Sequence, residues 1–318
     1  MITISIGKPS FQKIENKSKY TRELFDDYVV LDLETTGMIP TLDEVIEAAA
    51  LRIRNGAIVD SFQSLIKPRY EIDDFITDLT GITNEMVADA PSIEEVAPKL
   101  FEFVGDDPII GHNVSFDLGF LNQIECLENI HGDTMHLARK VFPDIKNHKL
   151  ETLTDYLNLS QNEHRSLADC TATFELYERL KKELADRSLT IKDLYKKNYE
   201  KKKATWDPQN YSQSDKCEID LSSIESDPDN YFYGIHCCFT GKLEKLTRMD
   251  AWQLLSQIGG IPDKNVTKDT NYLVLGNLDL PQIRDQKSNK QKNAEKKKAK
   301  GQDIEVITEQ QFYELINI

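Results

Sequence analysis

Two carboxylates stand two residues apart in the segment DLETTG, Asp32 and Glu34. The run YVVLDLE that carries them reads as a strand, so both side chains leave the same face. Two anions on one half-buried face repel each other unless a cation lies between them. Carboxylate oxygens suit hard divalent ions such as Mg²⁺ or Mn²⁺, so the pair reads as half of a metal site. A bare pair of this kind is common on surfaces, and two further segments give it weight. GHNVSFD places Asp117 at the start of a helix that follows a short buried strand. HRSLADC places His164 five residues before Asp169 across a loop-to-helix junction. Taken singly, Asp117 reads as a helix cap and His164 as a surface histidine. Together, four acids and one imidazole supply metal ligands and a proton acceptor whose unperturbed pKa lies near neutrality.

The elements that must position these groups follow from periodicity. After YVVLDLE, the runs EVIEAAALRI and IVDSFQSLI read as two more strands, with Asn55-Gly56 as the hairpin turn between them. SIEEVAPKLFEFV is a helix, capped by Ser92 with Glu95 three residues on and stopped at Gly105. PIIG is a short buried strand and FDLGFLNQIECL a helix, followed by helices in LETLTDYLNL and SLADCTATFELYERLKKEL. Beyond Asp186 the pattern fades into a polar, lysine-rich stretch, expected to be a partly helical linker to Asn230. A second unit starts near Tyr231. It offers IHCCFTG, TNYLVLG and DIEVIT as strands, MDAWQLLSQIGG as a helix and TEQQFYELI as a final helix capped by Thr308. RDQKSNKQKNAEKKKAKG reads as a basic loop running into a helix. The expected division is therefore 1–24 as an N-terminal extension, 25–185 as the first domain, 186–230 as linker and 231–318 as the second domain.

A length of 318 residues agrees with two domains at roughly 100–200 residues each. No apolar run approaches the ~20 residues of a membrane span, and the N-terminal residues lack the apolar core of a secretion signal. Five scattered cysteines form no metal or disulfide pattern, so the expected location is the cytoplasm, with no membrane partner. The net charge of −15 argues at first against a nucleic-acid partner. The charge is uneven, however. Residues 1–180 hold 16 basic and 32 acidic groups and residues 181–318 hold 23 and 22, so the halves stand at −16 and +1. Some of the acidity belongs to the metal-type pocket, whose cations would reverse the local sign. The basic groups gather in the linker and in residues 284–300, which hold eight Lys/Arg and two acids.

Over residues 25–185 the chain resembles the DEDDh (DnaQ-like) superfamily of 3′→5′ exonucleases, which includes the bacterial proofreading exonucleases. EVIEAAALRIRNGAIVDSFQSLIKP and ITDLTGITNEMV followed by Ala90-Pro91 are similar to the segments between its first two motifs. DTMHLARKVFP followed by HKLETLTDYL is similar to the stretch before the third. Ser166 stands where that motif usually has alanine. The resemblance implies an α/β fold, a ribonuclease H-like mixed sheet flanked by helices. It implies two divalent cations, Mg²⁺ or Mn²⁺: Asp32, Glu34 and Asp169 hold the first, Asp32 bridges to the second, and Asp117 supports the second. His164 is then the general base, and Thr35, Thr36 and Gly37 line the pocket for the terminal nucleotide, with His112 and Asn113 beside it. Phe116 reads as core rather than as a base-stacking platform. The implied partner is DNA with a free 3′ end, trimmed to nucleoside 5′-monophosphates in replication proofreading or repair. Oligoribonuclease-like relatives of the same superfamily make RNA the alternative substrate. A non-catalytic scaffold is the other alternative, and the intact Asp32, Glu34, Asp117, His164 and Asp169 argue against it.

Residues 231–317 resemble a BRCT domain, similar to that of bacterial NAD-dependent DNA ligases and implying a small α/β unit with a short parallel sheet. FTGKLEKLTRMDAWQLLSQIGG followed by VTKDTNYLVLG carries the resemblance. Thr240-Gly241 stands where phosphate-binding members place a Ser/Thr-Gly pair, and Lys298 is the expected lysine of that pocket. Trp252 reads as core, and Phe312 stands where many such domains have tryptophan. The module is expected to dock DNA ends, a DNA polymerase or a repair protein.

Overall fold

The computed structural model describes residues 19–145, 147–160, 164–196, 221, 224, 230–276 and 288–316. The expected linker beyond Lys196 lies almost wholly outside the described residues, as does the first part of the basic run.

A six-stranded mixed sheet organises the first unit, in the order β1-β6-β5-β2-β3-β4. Its strands are β1 (Lys19–Tyr20), β2 (Tyr28–Thr35), β3 (Val45–Arg54), β4 (Ala57–Leu65), β5 (Ile109–Gly111) and β6 (Ile130–Asp133). β2, β3 and β4 form the antiparallel meander that the hairpin turn predicts, while β5, β6 and β1 join in parallel beside β2. Helices α1 (Asp74–Thr80), α2 (Asn84–Val87) and α3 (Ile93–Val104) follow the meander, and α4 (Ser115–Leu121) follows β5. After β6 come α5 (Thr134–Val141), α6 (Leu150–Leu157), α7 (Ser166–Asp186) and α8 (Ile191–Lys196). The capping box expected at Ser92 is present, with Glu95 returning to the Ser92 N–H at 2.9 Å.

The period of two decides what each face of the sheet does. Val29, Leu31 and Leu33 of β2, with Ala48 and Ala50 of β3, pack under α3 and α4. Tyr28 and Val30, with Ala49, Leu51 and Ile53, pack under α5, α6 and α7. Asp32 and Glu34 continue the second row, so the strand aims them at the first turn of α7. The alanines matter here, because a small residue on β3 lets the long helix lie close to the strands. Cys170 of α7 comes within 3.5 Å of the Ala49 carbonyl.

Two sequence readings change. The helix expected through Leu127 ends at Leu121, because the Asn122 side chain turns back to accept the Leu127 N–H at 3.1 Å and the chain swings into β6. The sequence reading also passed over β1, β6 and β8, each of four residues or fewer, and over α1, α2 and α5.

The second unit holds β7 (His236–Thr240), α9 (Arg248–Gln257), β8 (Ile261–Asp263), β9 (Tyr272–Leu275), α10 (Asn289–Ala299), β10 (Glu305–Thr308) and α11 (Glu309–Leu315). Its four strands are all parallel, in the order β10-β9-β7-β8. Phe232, Phe239, Tyr272 and Phe312 fill its core, with Trp252 partly buried at the edge. Among the described residues no helix is long and apolar enough to cross a membrane.

The second unit packs against the first. Tyr20 meets Tyr231 edge-on with ring centroids 5.0 Å apart. Ile39, two residues beyond the DLETTG segment, is buried in a cluster with Cys238, Leu273, Ile304 and Val306. α11 lies along α4, where a side chain on Gly119 would sit 3.1 Å from Gln311 Nε2 and 3.2 Å from Pro40 Cγ. A buried guanidinium, Arg139, donates to both carboxylate oxygens of Asp303 at 2.8 and 3.0 Å.

Candidate active site

The DLETTG acids and the first turn of α7 meet as the strand parity requires. Carboxylate oxygens of Asp32, Glu34 and Asp169 all lie within 4.8 Å of one another. Asp117, in the first turn of α4, turns its carboxylate back onto β2 and accepts the Leu33 N–H at 3.0 Å. That bond fixes the fourth acid beside the backbone between the first two. Burial, and then the charges of Asp117, Asp169, Glu34 and Glu47, push the Asp32 carboxyl well above the usual range. Burial followed by Asp169 and Glu47 pushes Glu34 up to about 8, with Arg165 pulling the other way. Asp117 is also raised, mainly by burial, although the Leu33 N–H opposes it. Acids that resist ionisation together at neutral pH are a site short of positive charge, and a divalent cation supplies it.

The donor set passes the chemical test for Mg²⁺ or Mn²⁺, being all oxygen and convergent. The surroundings agree. Asn113 Oδ1, Ser115 Oγ and Ser166 Oγ, on the two segments that deliver Asp117 and Asp169, are buried without a hydrogen-bond partner among the described residues. Such atoms are expected where water or a ligand completes a site.

His164 is exposed and sits just before α7 with a left-handed backbone, φ 50°. Its neighbours are held firmly. Arg165 Nε and Nη2 donate to Glu47 at 3.0 and 2.7 Å, and the Ser166 N–H donates to the same carboxylate at 3.1 Å. Gln63 adds a further donor at 3.0 Å. Burial would raise the Glu47 carboxyl, but the Arg165 and Ser166 bonds outweigh it and hold it below its ordinary value. Sequence reading missed this anchor. Its signal was an acid on the core side of VIEAAAL, in step with Ala49, for which a buried cation had to exist.

The residues expected around a terminal nucleotide are mostly occupied with building their own turns. The Thr35 hydroxyl donates to the Gly37 carbonyl at 2.6 Å, and the Thr36 hydroxyl accepts the Glu44 N–H at 2.9 Å. A Cβ on Gly37 would lie 2.4 Å from the Asp43 carboxylate, so a side chain there would displace the acceptor of the Ile39 N–H. Phe116 is partly buried and packs against the core under α4. His112 contributes its ring to a polar cluster, with Nδ1 2.9 Å from the Thr134 hydroxyl and Nε2 2.9 Å from the His148 carbonyl. Burial pushes that imidazole down to about 3. Asn113 follows in the left-handed region at φ 66°. Asp133, a second residue missed in the sequence, accepts from the Asn113 and Val114 N–H groups at 3.3 and 3.2 Å and caps α5 at the same time.

In the second unit the Thr240 hydroxyl lies 3.1 Å from that of Ser288, the N-cap of α10, and Gly241 follows at φ 76°. Lys298 is elsewhere, donating to Glu305 at 2.6 Å. The lysine beside Thr240 is Lys290, which donates to the Phe239 carbonyl at 3.0 Å. The first turn of α10 lies against β7, through Ser288 and Lys290, while its last turn carries Lys298 to Glu305 at the start of β10.

Residues 29–177 match the family described as Exonuclease, and residues 227–316 match the BRCA1 C Terminus (BRCT) domain. The chain is 39% identical over 193 residues to the DNA polymerase III PolC-type of Clostridium perfringens, covering 57% of this chain and 13% of that protein. It is 36% identical over 181 residues to the same enzyme of Bacillus subtilis, covering 54% and 13%. The chain thus spans only 13% of the length of each of these relatives. Among solved structures, Exonuclease X in complex with 5′ overhanging duplex DNA aligns with a TM-score of 0.43 and 27% identity, over 52% of this chain and 96% of that one.

Proposed function

We propose that this chain, an exonuclease domain followed by a BRCT domain, removes nucleotides one at a time from the 3′ ends of DNA in replication proofreading or repair. The observation that carries the reading is the convergence of Asp32, Glu34 and Asp169 oxygens within 4.8 Å, with Asp117 locked to the strand between the first two. DNA as the substrate is supported by the similarity of the exonuclease domain to DNA polymerase III of the PolC type.

Asp32, Glu34, Asp117 and Asp169 would hold two divalent cations, Mg²⁺ or Mn²⁺. Bound there, such ions neutralise charge on the scissile phosphate and its leaving group. The chain's own groups do the rest. His164 takes a proton from the attacking water, whose oxygen bonds to phosphorus as the bond to the 3′ oxygen of the preceding nucleotide breaks. The leaving 3′ oxygen takes a proton from solvent water, so the products are a nucleoside 5′-monophosphate and a strand shortened by one, with a new 3′ hydroxyl. Arg165 and Ser166, tied to Glu47, hold the two positions after the base and so limit how far its loop moves. Thr35, Thr36, Gly37, His112 and Asn113 shape the turns that flank the terminal nucleotide. In the BRCT domain, Thr240, Gly241 and Lys290 form the candidate phosphate contact, and the lysines of α10 add salt-sensitive attraction to a DNA backbone.

The test is release of nucleoside 5′-monophosphates from a labelled single strand with a 3′ hydroxyl, with Mg²⁺ or Mn²⁺ and without. Activity should require the cation and vanish in Asp32→Ala. A matched RNA strand cleaved faster than DNA would overturn the choice of substrate, and equal degradation by wild type and Asp32→Ala would overturn the site.

A further inference from the structure

The BRCT domain reaches the segment that delivers Asp117 by three separate routes. Asp303, just before β10, accepts Nε and Nη2 of Arg139 at 2.8 and 3.0 Å, and its Oδ2 lies 3.0 Å from His148 Nδ1. The side chains of Arg139 and His148 are each 6% exposed and that of Asp303 14%. Tyr272, also in the BRCT domain, takes the third Arg139 bond at 2.8 Å. Arg139 lies on α5, whose N-cap Asp133 holds the Asn113 and Val114 N–H groups. The His148 carbonyl faces His112 Nε2 at 2.9 Å. From a third side Gln311 Nε2 donates to the Ser115 carbonyl at 3.2 Å. Residues 112–115, the turn into α4, are therefore clasped by contacts that begin in the other domain. Burial raises the Asp303 carboxyl, but Arg139 and His148 outweigh it and hold it well below the usual range, so the clasp is charged at neutral pH.

We infer that Asp303 and Gln311 of the BRCT domain are positioning residues for the exonuclease centre, the first acting through Arg139 and His148 and the second through the Ser115 carbonyl, to fix the turn that aims Asp117 at the metal site. The inference rests on the exonuclease reading above. It gives the BRCT domain a part in the active site of its own chain, beyond binding another molecule. Groups hydrogen-bonded directly to a metal ligand change metal affinity or activity by about 10–100-fold when lost, and Asp303, which acts on Asp117 through Arg139, His148 and the turn, is expected at the low end of that range. Asp303 touches neither cation nor substrate, so it acts only through the geometry of residues 112–117.

The experiment compares the full chain with Asp303→Asn and Asp303→Glu by calorimetric titration with Mn²⁺, alongside kcat and KM on a single-stranded DNA oligonucleotide and a thermal melt. Asp303→Asn should bind Mn²⁺ about tenfold more weakly and lose about tenfold in kcat, with KM unchanged and the protein folded at the assay temperature. Asp303→Glu, which restores the charge, should recover most of both losses. Gln311→Ala removes no charge and two side-chain bonds, the one donated to the Ser115 carbonyl and the one accepted from the Thr308 N–H, and should weaken Mn²⁺ binding even where Asp303→Asn fails to fold. Wild-type Mn²⁺ affinity in Asp303→Asn or in Gln311→Ala overturns the proposal, as does a loss of kcat that tracks only the melting temperature. A wild-type chain that binds no Mn²⁺ overturns the metal site and the proposal with it. A wild type that binds, with variants that match it, overturns the proposal alone.

Discussion

Glu47 lies directly across the sheet from Glu34, and the guanidinium of Arg165 closes on Glu47 at 2.7 Å. Two acids facing each other on neighbouring strands repel, and both face the helix that brings Asp169. Arg165 settles the conflict on one side only. It donates two hydrogen bonds to Glu47 and acts on Glu34 through its charge alone, which does not offset the burial that raises that carboxyl. The same pairing ties the segment after His164 to β3.

Glu47→Gln should therefore injure catalysis more than folding. The glutamine keeps one acceptor for Arg165 or the Ser166 N–H but loses the charge, and Arg165 becomes able to turn toward Glu34. A fall of about 10–100-fold in kcat is expected, with a thermal melt close to wild type. A kcat equal to wild type would show that the His164 loop holds its position without Glu47.

The raised carboxyls make a prediction about pH in the absence of divalent cations. Glu34 has an unfolded value near ~4.3 and is pushed up to about 8 in the fold, so the folded state holds the extra proton between them. Stability from this group is thus complete below the unfolded value and is lost as pH rises through about 8. Scanning calorimetry in chelator should show the melting temperature of the exonuclease domain falling from pH 5 to pH 8. Glu34→Gln should flatten that slope, and saturating Mg²⁺ should abolish it. A metal-free melting temperature that rises over this range would contradict the crowding of acids at the site.

Phe312 makes the BRCT core a variant with a smaller ring than tryptophan. Its ring is 1% exposed and lies 5.0 Å from Phe232 and 5.2 Å from Phe239, centroid to centroid. With the space already filled by those rings, Phe312→Trp should overpack and cost about 1–3 kcal/mol. Phe312→Ala should cost more, about 3–5 kcal/mol. Denaturant melts of the two variants against wild type give both figures, and a tryptophan variant more stable than wild type would show unfilled space beside the ring.

What the sequence revealed and what it hid divide along a physical line. Asp32 and Glu34 were legible because strand parity is local: two residues apart means one face. Asp117 and Asp169 were legible as helix-entry acids, and the distances add that Asp117 is held by the Leu33 N–H. Glu47, Arg165 and Asp133 were not singled out, because each acts through a partner distant in sequence, 118 residues away for Glu47 and Arg165. That Lys298 meets Glu305 while Lys290 lies nearer Thr240 was hidden for a different reason. A polar helix with six lysines among residues 289–300 has no apolar stripe to fix its register, so only packing could choose Lys290 for the turn beside Thr240. The contact between the two domains was hidden for both reasons. Its polar centre, Arg139 with Asp303, spans 164 residues, and its apolar parts are two small patches, one around Ile39 and one where Tyr20 meets Tyr231.

Gly119 offers a direct test of that contact. It sits on the face of α4 that meets α11, where even a single added carbon would lie 3.1 Å from Gln311 and 3.2 Å from Pro40. Leucine adds three carbons beyond that point and is expected to push Gln311, and α11 with it, away from α4. Gly119→Leu should cost about 1–3 kcal/mol at the contact, more than any gain in helix propensity, which is at most about 1 kcal/mol. The radius of gyration by small-angle scattering should rise, and hydrogen exchange should quicken in α11 while β2 and β3 stay protected. Because the Gln311 bond to the Ser115 carbonyl is lost as well, kcat should fall with it. An unchanged radius together with unchanged exchange in α11 would mean that the two domains do not meet through α4.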